Sequence, residues 1–524
     1  HSLLKKKQAC EKKKVELEQK LEQYDTEISS KQSELEKMRE ALTQLQSDIE
    51  KCQKVRAKTV AELSSVKLQI LENGSSVGQN DFSLSTTRFP SSTDLYSEPK
   101  LVIRDGSTIV QGTLLEIVEK MTDIQFKRQT HIRDVILTCC VHQVCSASDL
   151  LQTLLKRYFV AVPKAIPAEK RDAWVQADLI SIQMKVLQHT QSWLLEFPED
   201  IISSPQVLTT LSNFLTSQSK QQHAAAPISG KILQKLSVLA SRQNYDSVFD
   251  DEFLTTSTHL DPSTFPKPIE PEKQALTSLL DIHPLELARQ ITILDFQVFC
   301  AIKPREFINQ AWNSAEKYTK APNVALLTSR FNSLTQGFIA AVLTEKNIKR
   351  RAKLIEHLIM LGWHLVRAVQ NYGSLACVVS ALGASAIYRL KQTWRVVKRS
   401  ARQRHQKLRA LFSPSSNWKM YRKAISQTDP PLIPYIGPFL TDLTFLSDSA
   451  EDLIEGEGVN QLKVINFSKQ EKLYGIIRSF GVFQSMPYSL KALPQVQIFL
   501  SELGSLDEIE QFRISKELEP SQTN

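Results

Sequence analysis

Glycine is scarce in this chain, at 15 of 524 residues. A chain so poor in the residue that tight turns favour, with long leucine-rich segments, is expected to be mostly helix. Cysteines are few, odd in number and scattered: Cys10, Cys52, Cys139, Cys140, Cys145, Cys300 and Cys377. That pattern argues against a disulfide framework and for free thiols in a reducing compartment, the cytoplasm. Around His142, Cys139, Cys140 and Cys145 cluster without a C-x-x-C pair, so they read as buried thiols rather than metal ligands. No apolar run reaches the ~18 residues of a membrane span. There is no P-loop, nucleophile motif or metal-ligand spacing, so a hydrolytic or metal enzyme finds no support. Zinc-finger spacing and an aromatic-and-basic RNA motif are lacking too, so nucleic acid is not the expected partner. No signal peptide is visible; the chain opens on His1 without Met, and the expectation is a trimmed piece or tag remnant.

What is present is ordinary in amount and unusual in arrangement. Apolar content of 42% and charged content of 23% suit a globular protein, and 524 residues allow two or three domains. The net charge of +9 suits an acidic partner or an anionic membrane surface. Residues 3–72 carry a heptad, with a positions at Leu21, Ile28, Leu35, Leu42, Ile49, Leu63 and Ile70. The d positions fall on Leu17, Tyr24, Met38, Leu45, Cys52 and Val66, and Lys31, Arg56 and Thr59 interrupt the core. This is a coiled-coil signal, and the rod would span on the order of 100 Å. In a parallel pair the g–e neighbours Lys6–Glu11, Lys13–Glu18, Lys20–Asp25, Glu34–Arg39 and Glu62–Lys67 all attract. A parallel homodimer is therefore favoured over a helix that folds back on its own chain or binds another protein.

Residues 73–99 are rich in Ser, Thr, Gly and Asn and read as a linker. A helical block follows over 100–245, its end merging into a second, polar and proline-rich linker over 219–273. The block carries Gly112-Thr113 ahead of the apolar helix Leu114–Met121, then Ile136-Leu137-Thr138, Asp149-Leu150-Leu151 and Leu155-Lys156-Arg157-Tyr158. A last block over 274–518 is helix after helix. It contains Asp281-Ile282-His283-Pro284-Leu285-Glu286-Leu287, Ser329-Arg330-Phe331-Asn332-Ser333-Leu334 and Asn371-Tyr372-Gly373. Next comes Tyr388-Arg389-Leu390-Lys391-Gln392-Thr393-Trp394, and later Ile465-Asn466-Phe467-Ser468-Lys469 and Pro487-Tyr488. The most constrained stretch is Asp429-Pro430-Pro431-Leu432-Ile433-Pro434-Tyr435-Ile436-Gly437. Its prolines fix φ, and its glycine permits a close approach or a positive φ. The restart at Leu440-Thr441-Asp442-Leu443 resumes an apolar pattern.

The proline segment resembles the PP-x-x-P-x-x-G-x-x-L-T-D-L stretch of the Ras-type guanine-nucleotide exchange factors. The other motifs occur in that family's order. The block from Gly112 to Tyr158 resembles its upstream Ras exchanger motif, and the last block resembles its catalytic domain. The resemblance implies an all-α protein: a coiled coil, a helical exchanger-motif domain that buttresses the catalytic domain, and a helical bowl with a protruding hairpin. It implies a partner, a Ras-family small GTPase, whose GDP is released so that GTP can load; Mg²⁺ and nucleotide belong to that partner. The motifs are common to readers of Ras, Rap and Ral.

An exchanger must bind the empty GTPase better than the loaded one, because only differential affinity shifts an equilibrium. In the resemblance this falls to an apolar side chain that displaces the metal's ligands and an acid that takes the place of phosphate. The R-L-x-x-T-W stretch is expected to begin the hairpin, with Leu390 as the apolar intruder, Trp394 as its packing anchor, and Thr393 and Arg395 in the same catalytic set. Arg330, Asn332, Tyr372, Arg389 and Lys391 are the expected GTPase contacts, while Thr441 and Asp442 hold the fold. Two positions depart from the family: Arg395 stands where an acid is usual, and Gly383 where Asn is usual. They motivate the alternative of a catalytically weak scaffold that binds a GTPase. Cys139-Cys140 replaces an aromatic after the I-L-T stretch, which reads as a repacked core. Nine basic residues and no acid fall between Arg389 and Arg409; they suit a solvated helix tip, an acidic GTPase face or anionic lipid, with recruitment to the plasma membrane in the last case.

Overall fold

A computed structural model describes residues 101–163, 166–242, 265–455 and 463–520. The heptad segment and the first linker lie outside these residues. The described residues fall within one compact unit that begins at Ser97. They are mostly helical. This agrees with the expected all-α class, with two short antiparallel two-stranded ribbons beside the helices: β1 (Val102–Arg104) with β2 (Thr108–Gln111), and β3 (Leu453–Glu455) with β4 (Lys463–Ile465).

The upstream block opens on α1 (Leu114–Met121), whose start is written in the sequence. The Thr113 hydroxyl accepts from the Glu116 amide and the Glu116 carboxylate accepts from the Thr113 amide, a capping box that satisfies two otherwise orphan donors. Then come α2 (Gln129–Val135), running on as a π-helical turn over Ile136–Cys140, and α3 (Ala147–Tyr158), capped the same way by Ser146 and Asp149. Cys139 and Cys140 are fully buried in that turn, filling the core where the aromatic was missing, and burial pushes both thiols well above their ordinary pKa. The block closes with α4 (Ile180–Glu196), α5 (Pro198–Ile202), α6 (Pro205–Ser219) and α7 (Ala226–Arg242). Helix α7 lies in a stretch expected to be linker. It packs on α6, with Ile232 and Leu236 buried.

The last block starts with α8 (Pro284–Ala301), Pro284 occupying its first turn where no amide donor is missed. Helices α9 (Pro322–Thr344), α10 (Ile348–Arg367) and α11 (Tyr372–Gly383) pack with α8 into the central core. Beyond them lie α12 (Lys391–Val396), α13 (Arg399–Leu411) and α14 (Ser415–Ser426). Helix α15 (Gly437–Ser449) leads through the β3–β4 ribbon into α16 (Phe467–Gln484), which packs back on it. The chain ends on α17 (Pro494–Ser501) and α18 (Glu508–Leu518).

The two blocks meet on α16. Arg128 and His131 of the α2 region both reach Glu471, the His131 Nε2 at 2.7 Å, and the Tyr474 hydroxyl donates to Asp134 at 3.2 Å. The Gly112 and Ile465 backbones exchange hydrogen bonds at 3.3 and 2.9 Å. A buried charge network adds to this contact. Asp200 accepts from the Trp193 indole at 2.8 Å, pairs with His142 at 2.9 Å and takes an ion pair from Arg305, which also donates to the Val141 carbonyl. The upstream block therefore braces α16 and the segment around Arg305 through polar contacts as well as packing.

Candidate functional site

The proline segment is pinned by backbone pairing. The Tyr372 amide donates to the Ile433 carbonyl at 2.8 Å and the Ile433 amide to the Gln370 carbonyl at 3.1 Å. The Pro430–Pro431 peptide is cis. Gly437 has no positive φ; its use is close approach, because an added Cβ would lie 2.7 Å from the Tyr435 ring. Tyr435 in turn stacks on Phe331 of α9 with ring centroids 5.8 Å apart.

This arrangement opens a groove of about 230 Å³ between α9, the start of α11 and the segment Ile433–Leu440. Arg330, Phe331, Asn332, Tyr435 and Leu440 line it, with Asp295 at its base. Asp295 is buried and organises the wall. Its carboxylate accepts from Arg330 at 3.0 Å, from the Asn371 amide group at 3.0 Å and from the Ser374 hydroxyl at 2.5 Å. Asn371 also caps α11, its side chain accepting from the Ser374 amide. Cys377 lies beneath, and burial pushes its thiol up so that it stays neutral.

Helix α15 continues from the groove. Its inner side seats Phe439 and Leu443 in the core, while Thr441, Phe445 and Asp448 share the outer face at i, i+4 and i+7. Phe445 is 76% exposed. Asp448 is exposed and accepts from Gln310 at 2.9 Å. Asp442 receives a two-pronged bond from Arg422 of α14, at 2.8 and 3.0 Å, which fixes α15 against its neighbour.

Several expected site residues move. Leu390 is fully buried, so it belongs to the core and cannot be presented to a partner as an intruder. Thr393 is also buried. Its hydroxyl donates to Glu519 at 2.7 Å and accepts from Arg351 at 2.9 Å, a cluster that ties the C-terminal segment to α10 and α12. Arg389 spends its guanidinium on the Ser515 and Glu519 carbonyls at the end of α18. Trp394 stacks on His405 and donates to the Ile387 carbonyl at 3.1 Å. Tyr372 is only 3% exposed, its hydroxyl on Thr428 at 3.1 Å, so its ring is not a surface contact. Arg395 and Lys391 are exposed on α12 and do not line the groove. Arg330 and Asn332 do line it. Asp295, Tyr435, Phe445 and Asp448 join the candidate site only in the fold. Three of them lie within or just after the proline and L-T-D-L motifs, where the signal for them stood.

The site is thus an apolar groove walled by a buried polar hub and continued by a helix that exposes a phenylalanine. The chain matches the RasGEF domain over residues 286–471 and the RasGEF N-terminal motif over residues 108–214. It belongs to the family of Ras-type guanine-nucleotide exchange factors. It is 30% identical over 375 residues to Ras guanine nucleotide exchange factor J of Dictyostelium discoideum, covering 71% of this chain and 43% of that protein. Identity to Ras guanine nucleotide exchange factor A of the same organism is 27% over 432 residues, 80% of this chain and 66% of the relative. Identity to the mouse Ras-specific guanine nucleotide-releasing factor 1 is 34% over 246 residues, 47% of this chain and 19% of the relative. The chain thus spans less than half of the first relative and about two thirds of the second.

Proposed function

We propose that the chain binds a Ras-family small GTPase in the α9–α11 groove and along α15, and accelerates loss of its GDP. Family membership supports the class of partner. The observation that carries the docking surface is Phe445, a large apolar side chain held out on a helix whose opposite side is anchored in the core. The resemblance calls for an apolar group and an acid beside the nucleotide site. Phe445 and Asp448 offer that pair on α15, three residues apart on one exposed face. Phe445 would displace the metal's surroundings and Asp448 would repel phosphate, so that the empty GTPase is bound better than the loaded one. Arg330 and Asn332 would hold the partner at the groove wall. The exchanger uses no cofactor of its own; Mg²⁺ and nucleotide are the partner's. The five described cysteines are unpaired, in keeping with action in the reducing cytoplasm.

The test is release of fluorescent GDP from a panel of Ras-family GTPases, with Phe445→Ala and Leu390→Ala alongside. Phe445→Ala should slow release at least ~10-fold, a loss of ~1.4 kcal/mol in transition-state stabilisation, with the denaturation midpoint unmoved. Leu390→Ala should instead cost about 3 kcal/mol of stability by leaving a core cavity. Slowed release by Leu390→Ala at full stability, with Phe445→Ala neutral, would return the role to α12. The scaffold alternative drew on Arg395 and Gly383; binding without accelerated release would favour it.

A further inference from the structure

The region from Arg389 to Thr428 contains twelve basic residues and no acid. In the fold this run becomes α12, α13 and α14, and most of its charge stays on the surface. Arg395, Lys398, Arg399, Arg402, Lys407 and Arg409 are all exposed. Of these six, only Lys398 has an ion-pair partner among the described residues, Glu356 of α10 at 3.7 Å, and its own side chain remains 77% exposed. The other acids near these helices are engaged: Glu345 pairs with Arg350, and Glu519 is buried on Thr393. On α13 the inner side holds Ala401 and Leu408 in the core, so Arg399, Arg402, Lys407 and Arg409 project outward, while Arg404 lies over the Trp363 ring of α10. On α10, Lys349 and Lys353 are also exposed, and that helix packs against both α12 and α13.

We infer that the α12–α13 face is a docking surface for an anionic phospholipid bilayer. Two observations favour lipid over an acidic protein. First, apolar groups are exposed among the cations: Val396 at 45% and Tyr388 at 54%, with the Lys391 ammonium 3.7 Å from the Tyr388 ring centroid. Exposed apolar and aromatic side chains beside long cations suit a headgroup layer, where the ring and methyls sink and the charges stay at the phosphates. Second, the face is formed by the outward sides of successive helices, and none of its six cations lines the groove proposed for the GTPase. Unpaired arginines of this kind meet a plane of negative charge without needing fixed partners, each strengthening attachment about fivefold. The inference stands apart from the exchange reading, since it requires no GTPase.

Co-sedimentation of the full 524-residue chain with phosphatidylcholine vesicles, with and without phosphatidylserine, tests it at physiological salt. The chain should pellet with the phosphatidylserine vesicles and stay in solution with the neutral ones. Replacing Arg399, Arg402, Lys407 and Arg409 together by Gln should weaken attachment at least ~100-fold. A variant with Arg399, Arg402 and Arg409 changed to Lys should bind as the parent does. A matched variant that loses four exposed charges elsewhere (Lys170, Lys220, Lys231 and Lys235 to Gln) should keep attachment within a few fold. Equal partition to both vesicles, or equal binding by the α13 and control variants, would overturn the inference. Slowed GDP release without vesicles in the α13 variant, with its vesicle binding intact, would also overturn it and assign the face to an acidic protein.

Discussion

Asp295 shows how one buried carboxylate can set a recognition surface. It accepts from Arg330, Asn371 and Ser374, residues of α9 and of the start of α11, and so holds the groove's wall together. Asp295→Ala leaves three polar groups facing a void. It should cost roughly 3 kcal/mol in a denaturant titration, whereas Arg330→Ala should cost less, about 1–2 kcal/mol, because Asp295 then keeps its Asn371 and Ser374 donors. Equal losses for the two would mean that Asp295 is not the hub. A second residue ties stability to pH. His189 is buried, its Nε2 near the Met121 carbonyl, and burial pulls its pKa down to about 4. Its folded pKa is below the unfolded value, so its contribution is whole above the unfolded pKa and is lost as pH falls toward about 4. Burial draws His357 on α10 down to about 4 as well. Together they should lower the denaturation midpoint between pH 6.5 and 4, with His189 alone worth on the order of 3 kcal/mol at full protonation. A His189→Gln variant should lose less over the same range; an identical slope would exclude His189 as a contributor.

Among elements, α16 receives the most from the upstream block. Glu471, Tyr474 and Ile465 are held from that block by Arg128, His131, Asp134 and Gly112. Since α15 packs on α16, loosening this contact should blur the position of Phe445. Deleting residues 100–245 should therefore slow GDP release or make the remaining piece insoluble. Full activity from residues 274–524 alone would remove the bracing role. Element by element, sequence patterns read well where local chemistry decides. The Thr113–Glu116 box and Pro284 mark helix starts that the fold keeps. Helix α7, with Pro227 in its first turn, falls in the stretch whose polar, proline-rich composition reads as linker. Proline in a first turn costs no hydrogen bond, and the Ile228, Ile232, Leu236 and Leu239 spacing supplied the apolar face.

For the whole molecule, the heptad over residues 3–72 predicts pairing of two chains by the attractive g–e charges. Light scattering on residues 1–524 and 74–524 should give a dimer for the longer chain and a monomer for the shorter one. Equal monomeric masses would defeat the pairing. If two chains do associate, two α13 faces could meet one bilayer, and attachment would gain from the second contact without any new chemistry.

The order of motifs, the helical class, the capping residues and the rigidity of the Pro430–Gly437 stretch were legible in the linear chain, because each rests on neighbours close in sequence. Which apolar side chain faces a partner was not. Leu390 and Phe445 each lie in a helical pattern, and periodicity alone does not say which face meets solvent. Tertiary packing decided it, by burying Leu390 and leaving Phe445 largely exposed. The Asp295 hub arose the same way, from groups about 35 and 76 residues away in the chain. Burial is a property of what the rest of the fold places alongside a residue, and only the three-dimensional assembly supplies it.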